Sequence, residues 1–245
     1  MQVLLTALIS ALTSIIVVVL THVLSIQRAA RQVEETERER INMRYLNPLR
    51  LHLAENRFRL SEILNKVNDG QSCTELLTVE SPSQLSEKDA EWFNGPGTYL
   101  VSSAYLTACL FAQMLKLRED YPYLRLGSGQ DTQLLSGILQ LHRAFRRDLS
   151  IFYATQPSIG EDMLVRSDSR LRSYREFCEY LRIPEKRVWM DRLIQFYLNV
   201  GGGNKMKNIE EVIAAIDRLS NFLDAAVGGG ESIRARTELE GGLIP

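Results

Sequence analysis

Thr98-Tyr-Leu-Val-Ser-Ser-Ala-Tyr-Leu-Thr-Ala-Cys-Leu-Phe-Ala-Gln-Met-Leu115 is an uncharged run of 18 residues inside a 245-residue chain, and the number of membrane crossings turns on how it is read. A helix rises 1.5 Å per residue, so a bilayer core takes about 20 apolar residues and length alone admits a span. Composition argues the other way. Tyr99, Ser102, Ser103, Tyr105, Thr107 and Gln113 are costly in hydrocarbon, and a central core helix explains the run better. Were it a span, everything after Lys116 would change sides.

The other uncharged run opens the chain. From Met1 to Gln27 there is no Asp, Glu, Lys or Arg, and Val3 to Thr21 is long and apolar enough to cross a bilayer. A cleaved signal shows a basic start, a shorter apolar stretch and a small-x-small site. Here no Lys or Arg precedes the run and Thr21 to Gln27 offers no Ala-x-Ala, so an uncleaved anchor is expected. Arg28, Arg31, Arg38, Arg40 and Arg44 follow it, which by the positive-inside rule puts the N-terminus outside and the bulk in the cytoplasm, on an inner (plasma) membrane. On a helix Ala7, Ser10, Ala11, Ser14, Thr21 and Ser25 fall close to one face, a candidate packing surface for self-association or docking onto a larger membrane protein. Small residues are also common in membrane helices that pair with nothing.

Beyond residue 27 the chain is long enough for one hydrophobic core, and 45% hydrophobic with 24% charged residues excludes both a disordered chain and a polytopic transporter. A formal net charge of −1 argues against nucleic acid as a partner. Cys73, Cys109 and Cys178 are too few and too scattered for a disulfide framework or a thiolate zinc site, and read as buried thiols in a reducing compartment.

Periodicity organises the rest. Residues 28–46 alternate in charge, with Arg31/Glu35, Glu34/Arg38 and Glu37/Arg40 at helical spacings, and read as a stalk continuing the anchor until Asn47-Pro48 breaks or kinks it. An amphipathic helix follows, with Leu53, Leu60, Ile63, Leu64 and Val67 inward and Gly70 as its stop. Residues 71–97 read as a connector with a short helix near Glu87 to Phe93. A helix from Asp131 to about Tyr153 buries Leu134, Leu135, Ile138, Leu141, Phe145 and Leu149, and Gln156-Pro-Ser-Ile-Gly160 reads as a turn. Further helices are expected at Ser169 to Leu181, at Glu185 to Asn199 with Pro184 in its first turn, and at Ile209 to Ala226 with Val212, Ile213, Ile216, Leu219 and Leu223 inward. The expected organisation is all-α: a transmembrane anchor (1–27), a charged helical stalk (28–46), a multi-helix cytoplasmic bundle (47–227) and a loose tail (228–245).

The search for chemistry yields little. There is no Glu-x-x-His, His-x-x-x-His or Cys-x-x-Cys; His52 and Glu55 share a helix face and read as a surface pair. Gly127-Ser-Gly129 is no hydrolase elbow. Gly201-Gly-Gly203 before Asn204-Lys205 has the outline of a phosphate cradle but lacks the Gly-Lys-Ser/Thr ending, and reads as a linker. Arg143, Arg146, Arg147 and Lys205 are the candidate anion contacts, set against a solvated helix face beside His142. Trp92 and Trp189 read as core anchors. No catalytic residue, metal ligand or cofactor signature stands out.

Thr98 to Ala108, continuing through Phe111-Ala112, Leu117-Arg118 and Tyr123-Leu124, together with Phe152 to Met163 around Gln156 and Ile159-Gly-Glu161, resembles segments of bacterial single-pass membrane proteins with a helical cytoplasmic domain. The shared residues are aromatic and aliphatic, so the resemblance implies a fold and a compartment and carries no activity. The expected function is a membrane-anchored interaction or scaffold module, oligomeric, held in the lipid bilayer and bound to itself or to another membrane protein. Two alternatives stay open: a small-ligand sensor or enzyme whose site assembles between helices, and an oligomeric effector that permeabilises the membrane.

Overall fold

A computed structural model describes residues 2–68, 72–120, 129–146, 151–165, 170–203 and 206–227. The chain divides into two compact units, Met1–Arg44 and Tyr45–Pro245. The described residues are helical throughout; the nearest approach to a strand is an isolated bridge between Leu164 and Leu171.

In the first unit α1 (Gln2–Ile41) is one helix of 40 residues, about 60 Å long at 1.5 Å per residue. No glycine or proline interrupts it, and exposed pairs at Glu34/Arg38 (3.9 Å) and Glu37/Arg40 (3.1 Å) lie along its C-terminal half. Val17, Val19, Leu20, Val23, Leu24 and Ile26 are exposed. Of the small-residue face, Thr21 and Ser25 donate hydrogen bonds to the helix's own Val17 and His22 carbonyls, both at 2.7 Å. The side chains of Ala7, Ser10, Ala11 and Ser14 lie outside the described set.

The break expected at Asn47-Pro48 is not a break. Helical winding continues as a π-helical turn over Asn42–Leu46 and runs directly into α2 (Asn47–Asn68). Proline lacks an N–H and its ring crowds the carbonyl four residues back; a widened turn placed just before Pro48 absorbs that misfit while the chain stays helical.

The second unit is built around α4 (Thr98–Asp120), the run that opened the sequence reading. Among the residues whose side chains are described it is the one helix long and apolar enough to cross a membrane, a set that leaves out the start of α1, yet its most apolar window is 72% buried. Leu100, Ala104, Ala108, Phe111 and Met114 are fully enclosed. Helices α2, α3 (Ala90–Asn94), α6 (Thr155–Met163), α7 (Tyr174–Leu181) and α8 (Met190–Gly201) pack around it, while α5 (Gln130–Arg146) and α9 (Met206–Val227) pair beside α2. The amphipathic faces of α2, α5 and α9 are buried along most of the predicted positions, Leu53, Leu60, Ile63 and Val67; Leu134, Ile138, Leu141 and Phe145; Val212, Ile216, Leu219 and Leu223, while Leu64, Leu135 and Ile213, also expected inward, are half-buried and Leu149 lies outside the described residues. Arg57–Asp217 (2.6 Å) and Arg50–Asp224 (3.0 Å) flank the α2–α9 seam.

Several boundaries differ from expectation. The segment Gln156 to Gly160 is not a turn but most of α6, because Pro157 sits in the first turn, where its missing N–H has no helical partner to lose. Gly160 is there for packing. A Cβ on it would stand 2.8 Å from the Phe111 carbonyl oxygen and 3.0 Å from the Ala112 nitrogen, so only glycine lets α6 lie this close to α4. The helix expected to reach Tyr153 is described as far as Arg146, and the Ile151 N–H returns to the Phe145 carbonyl (3.1 Å). Helix α7 starts at Tyr174, later than expected, behind a capping box in which Ser173 and Glu176 bond each other's backbone N–H. Pro184 belongs to a turn, and α8 starts only at Met190, after the Ile183 carbonyl has accepted both Lys186 and Arg187 N–H groups.

Gly201 is no linker either. It is the last residue of α8, buried, with its carbonyl accepting from Cys73 N–H (3.1 Å) and no room for a Cβ against Leu76 (2.8 Å). Trp189, expected in the core, is 47% exposed, since the Ile183–Trp189 turn holds it outside α8. The tail at 228–245 lies outside the described residues.

Candidate functional site

The buried polar residues separate into those whose bonds close on themselves and those whose bonds do not. In the first group, Asn56 on α2 donates to the His52 (2.7 Å) and Leu106 (2.9 Å) carbonyls and accepts from Thr107 (2.7 Å), and Thr107 meets the Tyr197 hydroxyl on α8 at 2.6 Å. Every member is satisfied, so the network locks α2, α4 and α8 in one register. His142 and Gln156 behave alike: the imidazole Nδ1 bonds the Gln156 carboxamide oxygen, whose NH₂ donates to the His142 (3.0 Å) and Ile151 (2.9 Å) carbonyls. Burial holds the His142 pKa below its ordinary value, against the opposite pull of Gln156. His142 is thus a core residue, not part of a solvated face. Arg187, also buried, is bonded by Asp191 (2.9 Å), Ser86 and the Leu181 (3.1 Å) and Ser83 (3.3 Å) carbonyls.

The second group lines a cleft of about 530 Å³ between α2, the 3-10 turn Thr74–Leu76, the Gly95-Pro96 turn and the first turns of α4. Arg59 crosses it. Its guanidinium lies over the Tyr99 ring, 4.3 Å from the centroid, and one terminal nitrogen donates to the Ser103 (3.2 Å) and Ser102 (3.3 Å) hydroxyls. Lys66, one face-repeat further along α2, lies 4.8 Å from the same ring and bonds Glu75 at 2.7 Å. That bond holds the Glu75 carboxyl down at about 2 and raises Lys66. Glu62 approaches Arg59 Nε at 3.5 Å, as an ion pair.

Three atoms on the residues lining this cleft are buried and have no hydrogen-bond partner among the described residues: Arg59 Nε, the Thr78 hydroxyl and the Tyr99 hydroxyl. Burial, reinforced by Glu62, pushes the Tyr99 phenol well above its ordinary pKa, so it stays protonated and able to donate. The cleft therefore holds one fixed cation, with Glu62 beside both the Arg59 Nε and the Tyr99 phenol, and one buried hydroxyl, that of Thr78, that nothing engages. A second, larger groove of about 690 Å³ beside Phe93, Tyr174 and Cys178 has alternating charges at its rim, Glu91, Arg175, Glu179 and Arg182, and no such atoms.

Arg143 and Arg146 are exposed on α5, while Arg147 and Lys205 lie outside the described residues. His52 Nδ1 meets Glu55 at 2.9 Å as a pair on α2, and no group of three or more His, Cys, Asp or Glu comes together among the described residues. The three cysteines are buried; burial pushes Cys178 up to about 11 and Cys109 up to about 12, where neither is a nucleophile near neutral pH. The Arg59 cleft escaped the sequence reading because its residues come from four separate segments. The turn Gly95-Pro-Gly97, followed at once by Thr98-Tyr99, was the one local signal that could have pointed there. Comparison of the chain with protein-family models, curated proteins and solved structures finds no match.

Proposed function

We propose that the chain is a single-pass membrane protein, on an inner (plasma) membrane with its N-terminus outside, whose helical domain works by binding rather than by catalysis, as an oligomer or as an accessory to another membrane protein. The observation that carries this reading is α1: 40 helical residues without interruption, exposing Val17, Val19, Leu20, Val23, Leu24 and Ile26. An isolated helix that exposes this much apolar surface to water is unfavourable, and burial in lipid removes the penalty. Supporting it, the Thr21 and Ser25 hydroxyls bond carbonyls within the helix, which satisfies them without water. The arginines from Arg28 onward favour a cytoplasmic domain. The resemblance to bacterial single-pass proteins points the same way.

The test has two parts. Alkaline carbonate washing should leave the full chain in the membrane pellet and release a chain lacking residues 2–27; release of the full chain would refute the anchor. Crosslinking in membranes should give multimers that disappear when Ala7, Ser10, Ala11 and Ser14 are all replaced by Leu, and unchanged multimers would refute packing through that face. The sensor alternative is favoured by one observation, the cleft at Arg59.

A further inference from the structure

We infer that the Arg59 cleft is a binding site for the oxyanion end of a small molecule, a carboxylate or a phosphate group, held by Arg59, Tyr99 and Thr78. Arg59 is positioned before any ligand arrives. Stacking on Tyr99 and bonding to Ser102 and Ser103 fix the guanidinium plane, which leaves the buried Nε edge with an ion pair to Glu62 and no hydrogen bond. Oxygen acceptors match the Arg59 Nε and the Tyr99 phenol, both now facing the Glu62 carboxylate, and the unengaged Thr78 hydroxyl, and only an anion also answers the guanidinium charge. The other charged residue in the lining, Glu75, is already neutralised by Lys66. Thr98, Tyr99 and Ser102 come from the first turns of α4, a helix of 23 residues whose N-terminal dipole adds positive potential where the anion would sit. A volume of about 530 Å³ suits a small metabolite.

Glu62 is the competitor in this arrangement. At 3.5 Å from Arg59 Nε, with its side chain 38% exposed, it can swing into solvent as the anion takes its place. The site therefore reads sign: removing the Glu62 charge helps an anion and harms a cation. This inference stands apart from the anchor, and its experiment reads nothing about membranes.

The full-length chain in detergent is titrated calorimetrically with inorganic phosphate and, separately, with succinate, at ionic strength held constant with sodium chloride. Saturable binding of one or both is expected, and the stronger of the two identifies the headgroup. Arg59→Gln should abolish it. Tyr99→Phe and Thr78→Val should each weaken it about tenfold or more, the loss expected for a hydrogen bond to a charged group. Because the Thr78 hydroxyl has no protein partner, Thr78→Val should melt without ligand at or above the wild-type temperature, which separates a ligand contact from a structural one. Glu62→Gln should tighten binding severalfold. Absence of saturable binding by either probe overturns the inference. So does binding indifferent to Tyr99→Phe and Thr78→Val, weakening on Glu62→Gln, or a lowered ligand-free melting temperature in Thr78→Val.

Discussion

Replacing Gly160 by Ala sets two helical effects against each other. In an exposed helix, Gly to Ala stabilises by about 1 kcal/mol, because alanine loses less conformational freedom on folding. At Gly160 the added methyl would lie 2.8 Å from the Phe111 carbonyl oxygen and 2.9 Å from its carbon. Ordinary contact begins near 3.4 Å, so α6 must retreat from α4 by about 0.6 Å, and backbone atoms cannot rotate out of the way as a side-chain tip can. Overpacking of this kind costs about 1–3 kcal/mol, leaving a net loss of up to about 2 kcal/mol after the propensity gain. For a domain of this size that lowers Tm by up to roughly 4–8 °C. Gly137 on α5 is the control. Its Cβ would meet only the Leu219 Cδ1, at 2.9 Å, the end of a flexible side chain. Gly137→Ala should therefore be neutral or stabilising. Melting curves followed by circular dichroism on the full-length protein in detergent compare the two directly. A Gly160→Ala variant as stable as Gly137→Ala would refute the account of α6 packing.

Two further outcomes follow from the buried polar residues. The depressed pKa of His142 means that the folded state binds fewer protons than the unfolded state just below the ordinary histidine value of about 6.5. Its contribution is therefore complete above that pH and is lost as pH falls toward the folded value, with a slope of up to about 1.4 kcal/mol per pH unit. Urea titrations between pH 7.5 and 5 should show this slope flattened in His142→Gln, and an unchanged slope would show that His142 does not set it. Arg187→Met removes the bonds to Ser83, Ser86, Leu181 and Asp191 and should destabilise by about 2–4 kcal/mol. Hydrogen exchange should rise first in the 3-10 turn Pro82–Glu87, and uniform loss of protection across the domain would contradict that local role.

How much of this was legible in the residues depended on whether the signal was local. Helices α2, α5 and α9 carry a period of about 3.6 with polar outer faces, and their inward residues could be named in advance because amphipathicity is written along the element itself. Helix α6 could not. Pro157 and Gly160 punctuate loops in most contexts, and here one occupies a tolerated first-turn position while the other answers the backbone of a helix some fifty residues earlier. Gly201 misleads for the same reason, since its close neighbour Leu76 is remote in sequence. The stretches around Phe111-Ala112 and Ile159-Gly160 are two sides of one contact. The Arg59 cleft lay furthest from view: arginine from α2, threonine from the stretch after it, and tyrosine and serine from the start of α4 have no diagnostic spacing in the chain.

The burial of α4 also has a consequence for synthesis. Its covering helices α6 and α8 follow it in the chain, ending at Met163 and Gly201. At the usual translation rate of about 5–20 residues per second, an apolar helix of nearly spanning length has only the preceding helices α2 and α3 to cover it for roughly 4–16 s. If the first helix holds the chain at a membrane as proposed, that interval is an invitation to insert. The Ser103 and Thr107 hydroxyls and the Tyr105 phenol that later join α4 to its neighbours are, during those seconds, what makes the bilayer the worse solvent.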